Sequence, residues 1–138
     1  MQTALRIITP ERVLYEGSVE QVTIPTLSGE ITILPHHVSL VGLLKPGELI
    51  IKQNGETLPM VVSTGMLQVQ DTEIIILADT AERVEEIIEE RAEEARKRAE
   101  ELLAQQAFDT TEYALIAAKL EKELARLRVV RKHRSGRI

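Results

Sequence analysis

The chain has 138 residues, with 17 basic and 22 acidic side chains and a formal net charge of −5. This charge argues against nucleic-acid binding through a generally basic surface, and the absence of cysteine excludes disulfides, thiolate metal sites and cysteine nucleophiles. The apolar runs are short, as at residues 74–78, whereas a membrane-spanning helix needs about 20 apolar residues. Because no apolar run is that long, we expect a soluble protein. The first residues also lack the basic-then-apolar layout of a signal peptide.

The composition divides the chain into two parts. All five prolines and six of the seven glycines lie in the first 65 residues, and residues 81–135 contain neither. Proline and glycine occur at turns and strand ends and are unfavourable inside helices. We therefore predict a β-rich domain at residues 1–80 and a helical domain at residues 81–138.

The first part reads as a series of short strands rich in Val, Ile, Leu and Thr. The sequence Asn54-Gly55 predicts a two-residue hairpin, because both central positions of a type I′ turn need positive φ. Closely spaced strands with turn signals between them indicate a β-sandwich or jelly roll. The predicted strands are residues 4–8, 19–24, 30–34, 48–53, 56–63, 66–70 and 73–78.

In the second part, apolar residues recur with the i, i+3, i+4 spacing of amphipathic helices, from Val84 to Leu103 and from Tyr113 to Leu127. Alanine supplies most of the first stripe after Ile88, and it buries little area. The hairpin could therefore be a mobile element or an ordinary packed pair of helices, and the sequence leaves both interpretations open.

Each helix is preceded by a capping box, in which an acidic residue stands three positions before a glutamate. The boxes are residues 79–82 and 109–112, and Phe108 could pack as a hydrophobic staple beside the second. They predict a first helix over about residues 80–107 and a tight connection to the second. The two helices should form an antiparallel hairpin.

Five segments, in order along the chain, resemble the epsilon subunit of F-type ATP synthases. The most specific is residues 25–37, which resembles the family pattern Gly-Glu-x-Gly-Ile-x-Pro-x-His, with Thr32 in place of its second glycine. The others are residues 8–17, 44–47, 77–83 and 124–129.

This resemblance implies a flattened β-sandwich followed by a two-helix hairpin, and a non-catalytic rotor subunit of the central stalk. It implies that the sandwich binds the gamma subunit and rests on the c-ring, coupling proton or sodium transport to ATP synthesis. The hairpin would extend toward the alpha/beta hexamer and inhibit ATP hydrolysis. The subunit would lie on the cytoplasmic face of the bacterial plasma membrane, attached only through the complex, with no nucleic acid as partner.

Glu30 and His37 match family positions that face the polar loops of the c-ring, so the resemblance makes them candidates for ring contact. The alternative is that both are solvated loop residues. Metal binding is not expected, because adjacent side chains in an extended segment, such as His36 and His37, point to opposite sides and no third ligand is suitably spaced.

No catalytic site is expected, and we interpret the chain as not being an enzyme by itself. The acidic run at residues 85–94 reads as a solvated helix face, supported by i, i+4 pairs from Glu93 to Lys97 and from Glu94 to Arg98. There is no glycine-rich phosphate loop and no Ser/His/Asp set in useful order. No cofactor is required by this interpretation.

An alternative function is an ATP-sensing module, in which bound nucleotide stabilises the folded hairpin. Residues 87–92 resemble the motif Ile/Leu-Asp-x-x-Arg-Ala of family members that bind ATP, but Ile88 stands where the motif has aspartate. Cations that converge across a hairpin could hold a triphosphate. The nucleotide-binding candidates are Arg91, Arg98, Lys122 and Arg126.

The end of the second helix is densely basic, which by itself could indicate a nucleic-acid or anionic-lipid patch, or a frayed solvated terminus. The net acidity of the chain and its few aromatic residues favour an acidic protein partner. The resemblance implies that this partner is an acidic segment of the catalytic beta subunit. The candidates for the inhibitory contact are Arg126, Arg128, Arg131 and Lys132.

Overall fold

The computed structural model describes residues 2–37, 39–70, 72–105 and 110–135, with the backbone alone at residues 110 and 135. These residues form ten strands, one 3₁₀ turn and two α-helices. The strands are β1 (Thr3–Ile8), β2 (Val13–Val19), β3 (Gln21–Thr26), β4 (Gly29–Ile33), β5 (Leu40–Leu44), β6 (Gly47–Gln53), β7 (Glu56–Val62), β8 (Gly65–Gln70), β9 (Glu73–Ala78) and β10 (Ala81–Arg83). The 3₁₀ turn is Val84–Glu86, and the helices are α1 (Glu89–Ala104) and α2 (Thr110–Ser135).

The strands form one continuous sheet in the order β10-β7-β6-β3-β5-β8-β9-β1-β2, with β4 on β3. The sheet turns a corner between β3 and β5, which share only the pair Thr26 and Leu44. It then folds back on itself, since the Tyr15 hydroxyl of β2 donates to Gln53 Oε1 of β6 at 2.9 Å. The predicted sandwich is confirmed.

Alternation along the strands places the core inside this folded sheet. In β9, Ile74 and Ile76 are fully buried, while the next residue, Leu77, is half exposed. The core is entirely aliphatic apart from Met60, and Tyr15 packs at its margin.

The seven predicted strands are present with small shifts, and three strands were not predicted. The turn at Asn54 and Gly55 is confirmed, with φ of 53° and 77°. The missed strands are β2, β5 and β10. Two of them contain a central glycine, Gly17 or Gly42, and glycine weakens a strand signal.

The chain consists of two compact units, residues 1–83 and residues 84–138. The predicted start of the first helix near residue 80 is wrong. Residues 81–83 instead pair with β7, and the Thr80 amide donates to Ser63 Oγ at 2.8 Å, so the polar groups that a helix would use are satisfied by the sheet. The helix begins only after Ile88. This N-cap residue has an extended backbone, and no side-chain hydrogen bond caps the helix there. Asp109 of the second box and the predicted staple residue Phe108 lie outside the described residues.

The second unit is the predicted antiparallel hairpin, because the last turns of α2 contact the first turn of α1. The two stripes are only partly buried. Ala92 and Ala99 of α1 and Leu127 of α2 are buried, whereas Ile88 and Leu124 remain exposed.

Candidate functional site

An apolar row crosses the outer face of the sheet in the first unit. Leu43, Met66 and Leu77 are opposite one another on β5, β8 and β9, and they are 55%, 47% and 46% exposed. Beside this row, a shallow depression of about 560 Å³ is lined by Ile8, Pro10, Met66 and Leu77, among others. A contiguous apolar patch of this kind on a sheet face is typical of a protein-binding surface.

The two c-ring candidates lie at opposite ends of β4. Glu30 is exposed near the start of this strand, opposite Pro25 of β3. His37 follows the turn at the other end, where its amide donates to the Leu34 carbonyl at 3.2 Å and His36 has a φ of 66°. The structure therefore places both on the β3–β4–β5 region without bringing them into one cluster.

The four nucleotide candidates do not form a single cation cluster. Arg91 is exposed near the start of α1, and Arg98 is exposed two turns further along the same helix, with only a 3.5 Å contact from its Nε to the Glu94 carbonyl. Lys122 is half-buried on α2. Arg126 Nη1 donates to Glu123 Oε2 at 2.6 Å, and these side chains are only 17% and 4% exposed.

A cavity of about 320 Å³ lies between the two helices. It brings Arg98 of α1 close to Lys119 of α2, a cation that the sequence analysis did not select. Its other lining residues are Ala95, Ala99, Leu102, Leu115 and Ile116. Alanine on α1 leaves this space, because it is too small to fill the gap opposite the larger side chains of α2.

A cross-helix ion-pair cluster joins the start of α1 to the end of α2. Arg131 donates from Nε to Glu89 Oε1 and from Nη2 to Glu93 Oε2, both at 2.9 Å. Arg134 donates from Nη2 to the Ile87 carbonyl at 2.6 Å and lies 3.5 Å from Glu89. We call Glu89, Glu93, Arg131 and Arg134 the hairpin cluster.

Hydrogen bonds with charged neighbours shift the pKa of two members of the hairpin cluster, Glu93 and Arg131. The pKa of Glu93 is lowered, first by its hydrogen bond from Arg96 and then by Arg131. The pKa of Arg131 is raised, mainly by its hydrogen bonds to Glu89 and Glu93. Both side chains therefore remain charged at neutral pH. The predicted pair of Glu93 with Lys97 is wrong, because Arg96 and Arg131 occupy this carboxylate.

Of the four inhibitory candidates, Arg126 and Arg131 hold ion pairs inside the second unit. Arg126 is largely buried, whereas Arg128, Arg131 and Lys132 are exposed. Arg128 makes no ion pair with any residue that the structure describes. Glu89, Glu93 and Arg134 were not predicted to take part in these ion pairs, since helical spacing reveals neighbours on one helix but not those across a hairpin.

Within the described ranges, no three His, Asp or Glu side chains are grouped as metal ligands would be. Neither described helix combines the length and the apolar character needed to cross a membrane.

Two family models together match nearly the whole chain. The ATP synthase delta/epsilon chain β-sandwich domain matches residues 2–84, and the long α-helix domain of the same family matches residues 85–131. The chain belongs to the ATP synthase delta/epsilon family. The boundary between the two family models falls within a residue of the division between the two compact units.

Bacterial relatives match over almost their full length. An ATP synthase epsilon chain of Chloroflexus aggregans is 44% identical over 137 residues, covering 99% of this chain and 98% of the relative. That of Herpetosiphon aurantiacus is 39% identical, covering 93% and 97%. The chain is accordingly an epsilon-type, accessory subunit of an ATP synthase.

Two solved structures of ATP synthases contain chains with a similar fold. A chain of the Euglena gracilis mitochondrial ATP synthase, in a structure of OSCP, F1 and the c-ring, has a TM-score of 0.76 at 26% identity, covering 90% of this chain and 78% of that one. A chain of the Tetrahymena thermophila mitochondrial enzyme has a TM-score of 0.68 at 16% identity, covering 94% and 97%. The second likeness concerns the fold alone.

Proposed function

We propose that this chain is a non-catalytic rotor subunit of the central stalk, which joins the gamma subunit to the c-ring and inhibits ATP hydrolysis through its hairpin. The apolar row at Leu43, Met66 and Leu77 is the observation that carries the proposal. The similar Euglena chain comes from a structure of OSCP, F1 and the c-ring of an ATP synthase. The subunit would act on the cytoplasmic face of a bacterial plasma membrane, held there by the complex.

The apolar row suits the gamma subunit better than the c-ring loops. It is apolar and uncharged and spans three adjacent strands, and such surfaces gain affinity from burial of apolar area against another protein. The polar loops of a membrane ring would instead meet charged and hydrogen-bonding groups. Glu30 and His37, in the β3–β4–β5 region, provide groups of that kind, and we assign them to the ring contact.

For the hairpin, we assign the inhibitory contact to the exposed cations of α2. Arg128 and Lys132 lie one turn apart on the exposed side, and an acidic surface of the alpha/beta hexamer would attract both. Arg131 could bind the same acidic surface through its Nε and Nη2 only by giving up its hydrogen bonds to Glu89 and Glu93. Arg126, largely buried against Glu123, is the least accessible of the four candidates.

Binding to gamma tests the assignment of the apolar row. In the full chain, Met66→Glu places a charge in the centre of the row and should weaken gamma binding by at least about tenfold, as expected when a buried interface position receives an unpaired charge. Leu27→Glu is the matched control, since Leu27 is 66% exposed but lies outside the row. Equal binding by the two variants would contradict the assignment.

ATP hydrolysis by the assembled complex tests the inhibitory contact. Arg128→Ala with Lys132→Ala should relieve inhibition, and the relief should shrink at high salt, because screening weakens the wild-type contact. Lys97→Ala, an exposed cation on α1, is the control. If the double variant inhibits as well as the wild type, these cations do not carry inhibition.

The cavity between the helices favours a second candidate function, nucleotide sensing. Its volume of about 320 Å³ and its two cations, Arg98 and Lys119, suit a phosphate-bearing ligand with an apolar ring. Calorimetry with MgATP on the full chain tests this candidate, with Arg98→Ala as the variant that should abolish binding. No heat at millimolar MgATP would exclude it.

A further inference from the structure

We propose that Glu89 and Glu93 form an internal acidic site that holds Arg131 and thereby competes with the hexamer for this guanidinium. The inference rests on the proposed inhibitory contact and adds how that contact would be regulated. Two carboxylates of the hairpin itself would compete with the hexamer for Arg131. Closing the hairpin and engaging an acidic surface are then alternatives for Arg131.

The geometry is that of a specific site rather than of a chance surface pair. Glu89 and Glu93 stand four residues apart on α1, so both carboxylates project from the same face. Arg131 reaches them from α2 with two different nitrogens, Nε and Nη2, each at 2.9 Å. Isolated surface pairs are weak, but a forked arginine between two carboxylates gains from fixed geometry and from a network.

The contact uses a part of Arg131 that could bind an acidic partner. Nε and Nη2 form one of the two edges of the planar guanidinium that can bind a carboxylate with two parallel hydrogen bonds. In the described hairpin, this edge is occupied by Glu89 and Glu93. A carboxylate of the hexamer would have to displace at least one of them to bind in the same way.

Arg134 strengthens the closed arrangement from the next turn. Its Nη2 donates to the Ile87 carbonyl at 2.6 Å, and this carbonyl lies just before the first turn of α1. The last turns of α2 thus form hydrogen bonds both with side chains and with the backbone at the start of α1. Arg128 takes no part in these hydrogen bonds and remains available to a partner while the hairpin is closed.

Amide hydrogen exchange on the full chain tests the internal site directly. Glu89→Gln with Glu93→Gln removes both charges while keeping shape and helix propensity, and should raise exchange of the α1 and α2 amides about three- to tenfold through more frequent opening. The matched control is Glu90→Gln with Glu94→Gln, which removes the same charge from the same turns. Neither Glu90 nor Glu94 has a side-chain ion pair among the described residues.

Exchange rates equal in the two double variants would overturn the internal site, whatever the inhibition shows. Added salt gives a second measure: it should speed exchange in the wild type and have less effect on Glu89→Gln with Glu93→Gln. An equal salt effect on both would also count against the site.

Hydrolysis by the assembled complex tests the competition. The variant Glu89→Gln with Glu93→Gln frees Arg131 and should inhibit more strongly than the wild type, by about three- to tenfold at limiting subunit, while the control double variant should not. Unchanged inhibition despite faster exchange would overturn the competition. If Arg128→Ala with Lys132→Ala also leaves inhibition unchanged, the proposed function fails too, and the two failures are thereby distinguished.

Discussion

Gly65 of β8 lies directly against the carbonyl of Leu77 in β9: a Cβ added at Gly65 would stand 2.0 Å from that oxygen and 2.8 Å from the α-carbon of Ala78. These neighbours are backbone atoms of a hydrogen-bonded strand and cannot move aside as a side chain could.

We therefore expect Gly65→Ala to destabilise the first unit by about 3 kcal/mol or more, which is the upper range for overpacking. The free energy of unfolding can be measured from the urea dependence of amide exchange in β8 and β9. Gly42→Ala in β5 is the control, because a Cβ there would meet nothing within 4 Å. A similar loss in both variants would mean that glycine flexibility, and not the close approach, matters.

The hydrogen bond from Tyr15 to Gln53 joins β2 to β6, two strands that are distant in sheet order. Burial raises the pKa of the Tyr15 hydroxyl, against an opposing effect of Arg83, so the group stays protonated and donates. Tyr15→Phe should cost about 1 kcal/mol of unfolding free energy. Tyr113→Phe, on an exposed side chain, should cost nothing measurable in the same unfolding experiment.

The lowered pKa of Glu93 makes the stability of the hairpin depend on pH. The carboxyl titrates below its ordinary value of 4.5 in the folded hairpin, so the unfolded state binds more protons around that pH. The stabilisation is complete above 4.5 and is lost as the pH falls through the lower, folded pKa. Thermal unfolding of the helices, followed by far-ultraviolet circular dichroism, should show this loss.

Glu93→Gln should flatten the acid dependence of the hairpin, since the glutamine has no proton to gain. Glu94→Gln, on the neighbouring exposed position, should leave the dependence as in the wild type. A curve for Glu93→Gln that coincides with that of the wild type would assign the acid sensitivity to other carboxylates.

The sequence predicted the fold class because its strongest signals are local. The Asn54-Gly55 turn depends only on the conformation of two residues. The alternation of buried and exposed side chains in β9 can likewise be recognised within a single strand. The start of the first helix could not be predicted in this way. The box that begins at residue 79 has the pattern of a helix cap. In the folded chain, however, the same backbone forms hydrogen bonds with β7 and Ser63, and these tertiary contacts cannot be read from local sequence.

The candidate sites show the same limit. Family resemblance selected Arg131, and the structure adds that Glu89 and Glu93 hold it from 42 and 38 residues away. The apolar row was not predicted at all, since Leu43, Met66 and Leu77 come from three strands and meet only through register. Contacts across strands and helices carry no periodic signal in one sequence.

Arg126 illustrates how a residue selected for binding can prove to be structural. Its guanidinium donates to Glu123, which is only 3% exposed, so removing either partner leaves a charge with little access to water. Glu123→Gln should lower the stability of the helices by about 1–3 kcal/mol, measured by thermal unfolding. Glu121→Gln, at an exposed acid two residues before Glu123, should have almost no effect. If Arg126 acts only through the fold of α2, Arg126→Ala should reduce inhibition in proportion to the loss of helix stability, and Glu123→Gln should reduce it likewise. Loss of inhibition in Arg126→Ala with unchanged helix stability would instead make Arg126 a contact residue.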